Sequence, residues 1–449
     1  MPSPPPFDRR SLITGLAALP VLAGPSRGQQ APVRTLAAMP GEARLQGPDH
    51  PATAILGYDG LVPGPVLRAR RGEEFRLRLA NGLDQPTALH FHGMRLANAM
   101  DGAAGLTQEA VAPGATFDIA FTPQDAGTFL YRPWHPAHGA SQVTRGLAGL
   151  MIVEGPTLPT ADREQILVLG EWALDDKGAL AAAGTALEPQ GRPGTAGRIV
   201  TVNGQPDFTI EARANERLWL RIANAAHARI MQVVVPGQPL TLVALDGQPC
   251  EPFLLQNAQV TLGPGQRAEI MLDVTGAPGS SVPIAINNLQ GAALEGLLKV
   301  ADGAPLRPSP LPRPDWLDPN PIAQDMDFRR AFRLDLGIEA KGTDTVFNGK
   351  PDRAPARDPA FRVRRGTVVM AGLRNQTQGF HAVHLHGHQA RLLDGLDDGW
   401  KPFFLDTILV APGTTARIAF LADNPGKWVI EAQAIGDDRG PLVQWFEVT

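Results

Sequence analysis

The chain has 449 residues, a formal net charge of −4 and no basic run, so nothing in its charge points to nucleic acid or to another highly charged partner. That length exceeds one ordinary hydrophobic core, and two or three domains are expected. Its 48 glycines and 43 prolines are spread between short runs of Val, Leu, Ile and Thr, which argues against a helix-rich architecture and for sandwiches or barrels.

In chain order, the first feature is Arg9-Arg10 followed by an apolar-leaning run over residues 11–24, the pattern of a twin-arginine signal peptide, assigned to residues 1–31. It predicts export in a folded state and a periplasmic location. No later apolar stretch approaches the length of a membrane span. Cys250 is the only cysteine, so no internal disulfide can form and stability must come from packing. The chain is expected to be a monomer.

Self-comparison then finds one unit three times. A tight turn, Asp59-Gly60, Asn203-Gly204 or Asn348-Gly349, precedes an alternating strand that ends in Asn81, Asn224 or Asn375. Each copy continues to a Pro-Gly turn, at Pro113-Gly114, Pro264-Gly265 and Pro412-Gly413, and a second alternating strand. The period is domain-sized, roughly 150 residues. Period-two alternation gives every strand one buried face, so each copy is expected to be a two-sheet sandwich, over residues 32–156, 157–302 and 329–449. The proline-rich stretch 303–328 reads as a semi-rigid linker spanning the second domain. Residues 178–197, rich in Ala and Gly, suit either a loop or a short helix.

The ten histidines cluster in Leu89-His90-Phe91-His92-Gly93, Trp134-His135-Pro136-Ala137-His138 and His381-Ala382-Val383-His384-Leu385-His386-Gly387-His388. Strand residues two apart share a face, so His90 and His92 can enter one crevice, as can His384 and His386. Imidazole suits copper, zinc and iron.

With these motifs, and with Asn98-Ala99-Met100-Asp101-Gly102, Asp125-Ala126-Gly127-Thr128-Phe129 and Asn424-Pro425-Gly426-Lys427-Trp428, the chain resembles three-domain bacterial multicopper oxidases over essentially its whole mature length. The resemblance implies an all-β fold of three tandem cupredoxin-like Greek-key sandwiches, with a copper cluster shared by the first and third domains. It implies that His90 and His384 match the ligands of the cluster's lone copper, His92 and His386 match ligands of its coupled pair, and His381 matches a blue-copper ligand.

Elsewhere the pattern breaks. Where the resemblance expects Tyr-His-x-His, the chain reads Tyr131-Arg132-Pro133-Trp134, placing a cation and an indole at two ligand positions. His135 and His138 could be a displaced pair, although an i, i+3 spacing does not face one side of a strand. The last motif, His-Cys-His-x-x-x-His with a Met five residues on, aligns with Glu431-Ala432-Gln433, Asp437 and Leu442. The thiolate that defines blue copper is missing. Asp101 keeps an acidic residue of the first domain, whereas the Glu of the last motif is Gly436.

Three readings follow. The surviving imidazoles hold one copper or none, with Glu431 adding a carboxylate oxygen; or they are hydrogen-bonded interface residues of a binding or scaffold protein with a periplasmic partner; or the chain is a laccase-like, copper-binding oxidoreductase. The loss of the thiolate disfavours the third. No residue is assigned a catalytic role.

Overall fold

The structure is a computed structural model describing residues 33–181, 198–288, 291–342, 344–393 and 400–449. The leader assigned to 1–31 lies outside them, as does most of the Ala/Gly-rich stretch. Residues 34–449 form one compact unit. Among the described residues there are six sheets, paired as four and four strands, then six and five, then six and five. In each pair the two inner faces meet over one apolar core, so the architecture is three cupredoxin-like sandwiches in a row. Each fully buried Leu, Val or Phe in these cores contributes about 2 kcal/mol. Among the described residues, no helix is long and apolar enough to cross a membrane.

The threefold repeat has a physical cause at each recurring residue. Asp59, Asn203 and Asn348 adopt φ of 55°, 53° and 50°, and the glycine after each is also left-handed. Those are hairpin turns whose twist matches that of the flanking strands. Asn81, Asn224 and Asn375, at the ends of Phe75–Asn81, Arg217–Asn224 and Thr367–Asn375, are buried. In each copy the side-chain amide donates to backbone carbonyls, those of Gln85 and Val111, Arg229 and Leu262, or Gly379 and Val410. The side-chain oxygen accepts the backbone N–H two residues on. One asparagine therefore closes the same loop three times.

No strand lies between Val300 and Phe332, and much of that stretch is pinned to the second domain rather than tethered loosely. Arg217, bidentate to Asp273, also donates to the carbonyls of Leu311 and Pro312. Further along, the Asn320 side chain bonds both backbone groups of Ala126 in the first domain and the Gly247 carbonyl in the second.

Candidate metal centre

Two short strands carry the histidines. In Leu89–His92, Leu89 and Phe91 point into the first core, which turns His90 and His92 outward. In His381–Leu385, Val383 and Leu385 lie in the third core, and His384 and then His386 face the first domain. The strands are almost 300 positions apart, yet the His90 Nε2 lies 3.2 Å from the His384 Nε2. The His92 ring stacks on His384 at 3.5 Å and the His90 ring on His386 at 3.9 Å. All four are buried.

Hydrogen bonds at the far nitrogens fix the tautomers. The Nδ1 of His90 is 2.7 Å from the backbone carbonyl of Asp101, and that of His384 is 3.0 Å from the carbonyl of Asp406. A carbonyl only accepts, so both Nδ1 atoms carry the proton. The Nδ1 of His386 lies 2.9 Å from the Asp101 carboxylate and is a donor for the same reason. Each Nε2 is then a lone pair, and one donor atom each from His90, His384 and His386 lies within 4.8 Å of the others. Buried lone pairs that face one another repel unless a cation sits among them, and outer partners that fix Nδ1 are the usual support of histidine metal ligands. His386 Nε2 has no hydrogen-bond partner among the described residues. These three residues fit a metal ion.

His92 is in the cluster but differently engaged. Its Nε2 lies 2.8 Å from Thr407 Oγ1, whose hydroxyl is 2.7 Å from the Asp406 carboxylate. Burial, then the neighbouring His384, push the His92 pKa well below its ordinary value. Burial also pushes His384 down to about 4 and lowers His90, so these imidazoles are neutral ligands near neutral pH. Burial opposes the charge on Asp101, but the imidazoles of His386 and His90 outweigh it and hold the carboxylate well below its usual range.

His381 stands apart. It shares its strand face with Val383 and Leu385, its Nδ1 is 3.5 Å from Thr377 Oγ1, and burial lowers its pKa to about 4. Beside it, Ala432 pairs with Val383 on one side and Leu442 on the other. Both Ala432 and Leu442 belong to the third core, so the place of a thiolate and a thioether is filled by hydrocarbon. Cys250 is buried in the second core, and burial pushes its thiol up to about 12. His135 and His138 lie with ring centroids 4.8 Å apart and tilted by 37° just before the short helix Gly139–Thr144, outside the metal-competent groups among the described residues.

Two expectations are corrected. Glu431 does not offer a free carboxylate oxygen, nor does Arg132 present an uncompensated charge, because the two meet. Glu431 Oε1 accepts from Arg132 Nη2 at 2.8 Å and Oε2 accepts from Trp134 Nε1 at 2.8 Å. Burial raises the Glu431 pKa, but Arg132 foremost, with the imidazoles, brings it down to about 2. Arg132 lies opposite His90 and Glu431 opposite His384 in their sheets, so this clasp joins the first and third domains beside the histidines.

The sequence reading missed the layer behind the cluster. Arg267 of the second domain is bidentate to Asp406, with distances of 2.9 and 2.6 Å, and donates to the Thr128 carbonyl of the first domain. The signal was present in Arg267–Asp273, where Arg267 and Glu269 interrupt a strand whose every residue is buried. Buried charges of that kind require partners.

Comparison with known proteins identifies the family and the fold. Residues 42–157, 163–291 and 326–434 each match a family model described as multicopper oxidase. A multicopper oxidase, MmcO, of Mycobacterium tuberculosis is 29% identical, over 88% of this chain and 83% of its own length. The crystal structure of a multi-copper oxidase from Pseudomonas thermotolerans superposes with a TM-score of 0.81 at 33% identity, covering 92% of this chain and 98% of that one. Lac15, from a marine microbial metagenome, gives 0.75 at 33% identity, covering 93% and 100%.

Proposed function

Because the chain belongs to the multicopper oxidase family, we propose that it is an exported member holding a single copper ion between its first and third domains, acting as a binding or scaffold protein and not as a four-copper oxidase. The observation that carries this reading is the trio of inward Nε2 lone pairs on His90, His384 and His386. Bound there, copper would supply a one-electron redox couple. The chain's own residues hold the imidazoles in the receptive tautomer through Asp101 and Asp406, and exclude water by burying all three rings. A second group among the described residues, His92, His384 and Asp406, could also hold an ion, but it shares His384 with the first, and Asp406 is already bidentate to Arg267. Glu431 accepts from both Arg132 and Trp134 where the resemblance expects imidazoles, and Ala432 and Leu442 have no lone pair suited to blue copper.

That its relatives are multicopper oxidases favours a second reading, a copper-dependent oxidoreductase of laccase type. Copper titration with metal analysis, an optical spectrum and oxygen uptake on a phenol separates the two. One tightly bound copper, no intense copper–thiolate absorption and oxygen uptake no faster than with free copper are expected. Three or four bound coppers with steady turnover would overturn the proposal.

A further inference from the structure

Granted the single-ion site proposed above, on which this step rests, its surroundings also decide which ion it takes. The number of donors comes first. His90, His384 and His386 each turn one Nε2 to a common point. The other candidate ligands beside them are spent: Glu431 on Arg132 and Trp134, the Asp101 oxygens on His386 Nδ1, Asp406 on Arg267 and the Thr407 hydroxyl, and His92 Nε2 on that same hydroxyl. None of the three rings is more than 2% exposed, so solvent does not stand ready to complete the set. Cu(II) favours a tetragonal set of donors and Zn(II) a tetrahedral four, whereas closed-shell Cu(I) is satisfied by three.

Charge points the same way. The cost of moving an ion from water into a dry interior rises with the square of its charge, so burial penalises a divalent ion about fourfold more than a monovalent one. Close by, Arg132 and Glu431 offset each other, and Arg267 offsets Asp406, with Asp246 behind it against the same guanidinium. Of the carboxylates that touch the three ligands, Asp101 alone has no guanidinium partner among the described residues. We propose that the trio selects Cu(I) over Cu(II) and Zn(II), three neutral imidazoles giving a complete trigonal set and the Asp101 carboxylate answering the ion's single positive charge. Such a preference suits holding cuprous ion and not cycling it with dioxygen.

The test is competition for metal by the chelator-stripped full chain under nitrogen, against bicinchoninate for Cu(I) and nitrilotriacetate for Cu(II) and Zn(II). One Cu(I) per chain is expected, with a dissociation constant at least about a hundredfold below those of the two divalent ions. Asp101→Asn keeps an oxygen for the His386 N–H and removes the charge. A divalent ion then loses twice the attraction that a monovalent one loses. Cu(II) affinity should therefore fall at least about tenfold further than Cu(I) affinity, a split that a merely structural role would not produce. Should that variant misfold, the three affinities of the unsubstituted chain decide alone. Cu(II) or Zn(II) bound as tightly as Cu(I), or equal losses in folded Asp101→Asn, would overturn the selection while the single-ion reading stands; no copper bound in either state would overturn both.

Discussion

Glu431 shows how one side chain decides the character of the site. Its two oxygens are both used, by a guanidinium and an indole, and its side chain is 4% exposed. Truncation would leave Arg132 without its counter-charge in a mostly buried place. Glu431→Ala should therefore lower unfolding stability by about 3–5 kcal/mol in urea titration. Buried histidines make a second prediction at this scale. His227, His381, His384 and His388 all have pKa values lowered by burial from 6.5 to about 4. Between those values the unfolded chain binds protons that the folded chain refuses, so stability is full above about 6.5 and falls as pH drops towards about 4. Each such histidine adds about 1.4 kcal/mol per pH unit to the slope. The Glu431 carboxyl works lower down: its folded pKa of about 2 keeps its contribution intact until pH falls below about 4.5. Urea midpoints of chelator-treated protein, measured from neutral pH downward, should show the histidine loss first, and His227→Phe should shallow it.

Among elements, the strand that ends in asparagine is the clearest case of sequence legibility. Its recurrence could be read from the chain, and so could the hairpin turn before it, because both depend on residues close together in sequence. Its job is three hydrogen bonds in each of the first two copies and five in the third, where Asn375 also donates to Ala411 and accepts from the Thr377 hydroxyl. Removing them in Asn224→Ala or Asn375→Ala should cost about 2–3 kcal/mol in urea unfolding, with an ordinary surface Asn→Ala as the reference. The facing of His90, His92, His384 and His386 was legible too, since period two fixes which side of a strand a residue takes. What could not be read was who meets whom across domains. Glu431 and Arg132 are 299 positions apart, and no local periodicity says that a carboxylate on one strand will find a guanidinium on another instead of a metal. The same limit hid Arg267 and Asp406, 139 positions apart.

For the whole molecule, Arg267 is where three domains meet. Its guanidinium sits fully buried, bonded to Thr128 in the first domain and to Asp406 in the third. Asp406 in turn carries the carbonyl that orients His384. Arg267→Leu should thus do two things at once: split a single calorimetric unfolding transition into separate steps, and weaken copper binding although no ligand is touched. An unchanged copper affinity in a folded variant would separate domain docking from the site. The clasp of Arg132, Glu431 and Trp134 has another consequence, for the life history of the protein. The resemblance implies ions at this seam, whereas here side chains that leave the ribosome with the chain already bind the two ends together. Maturation then need not wait on nutrient supply, and cells starved of copper should still accumulate the folded particle, with copper adding protease resistance only through its own binding energy.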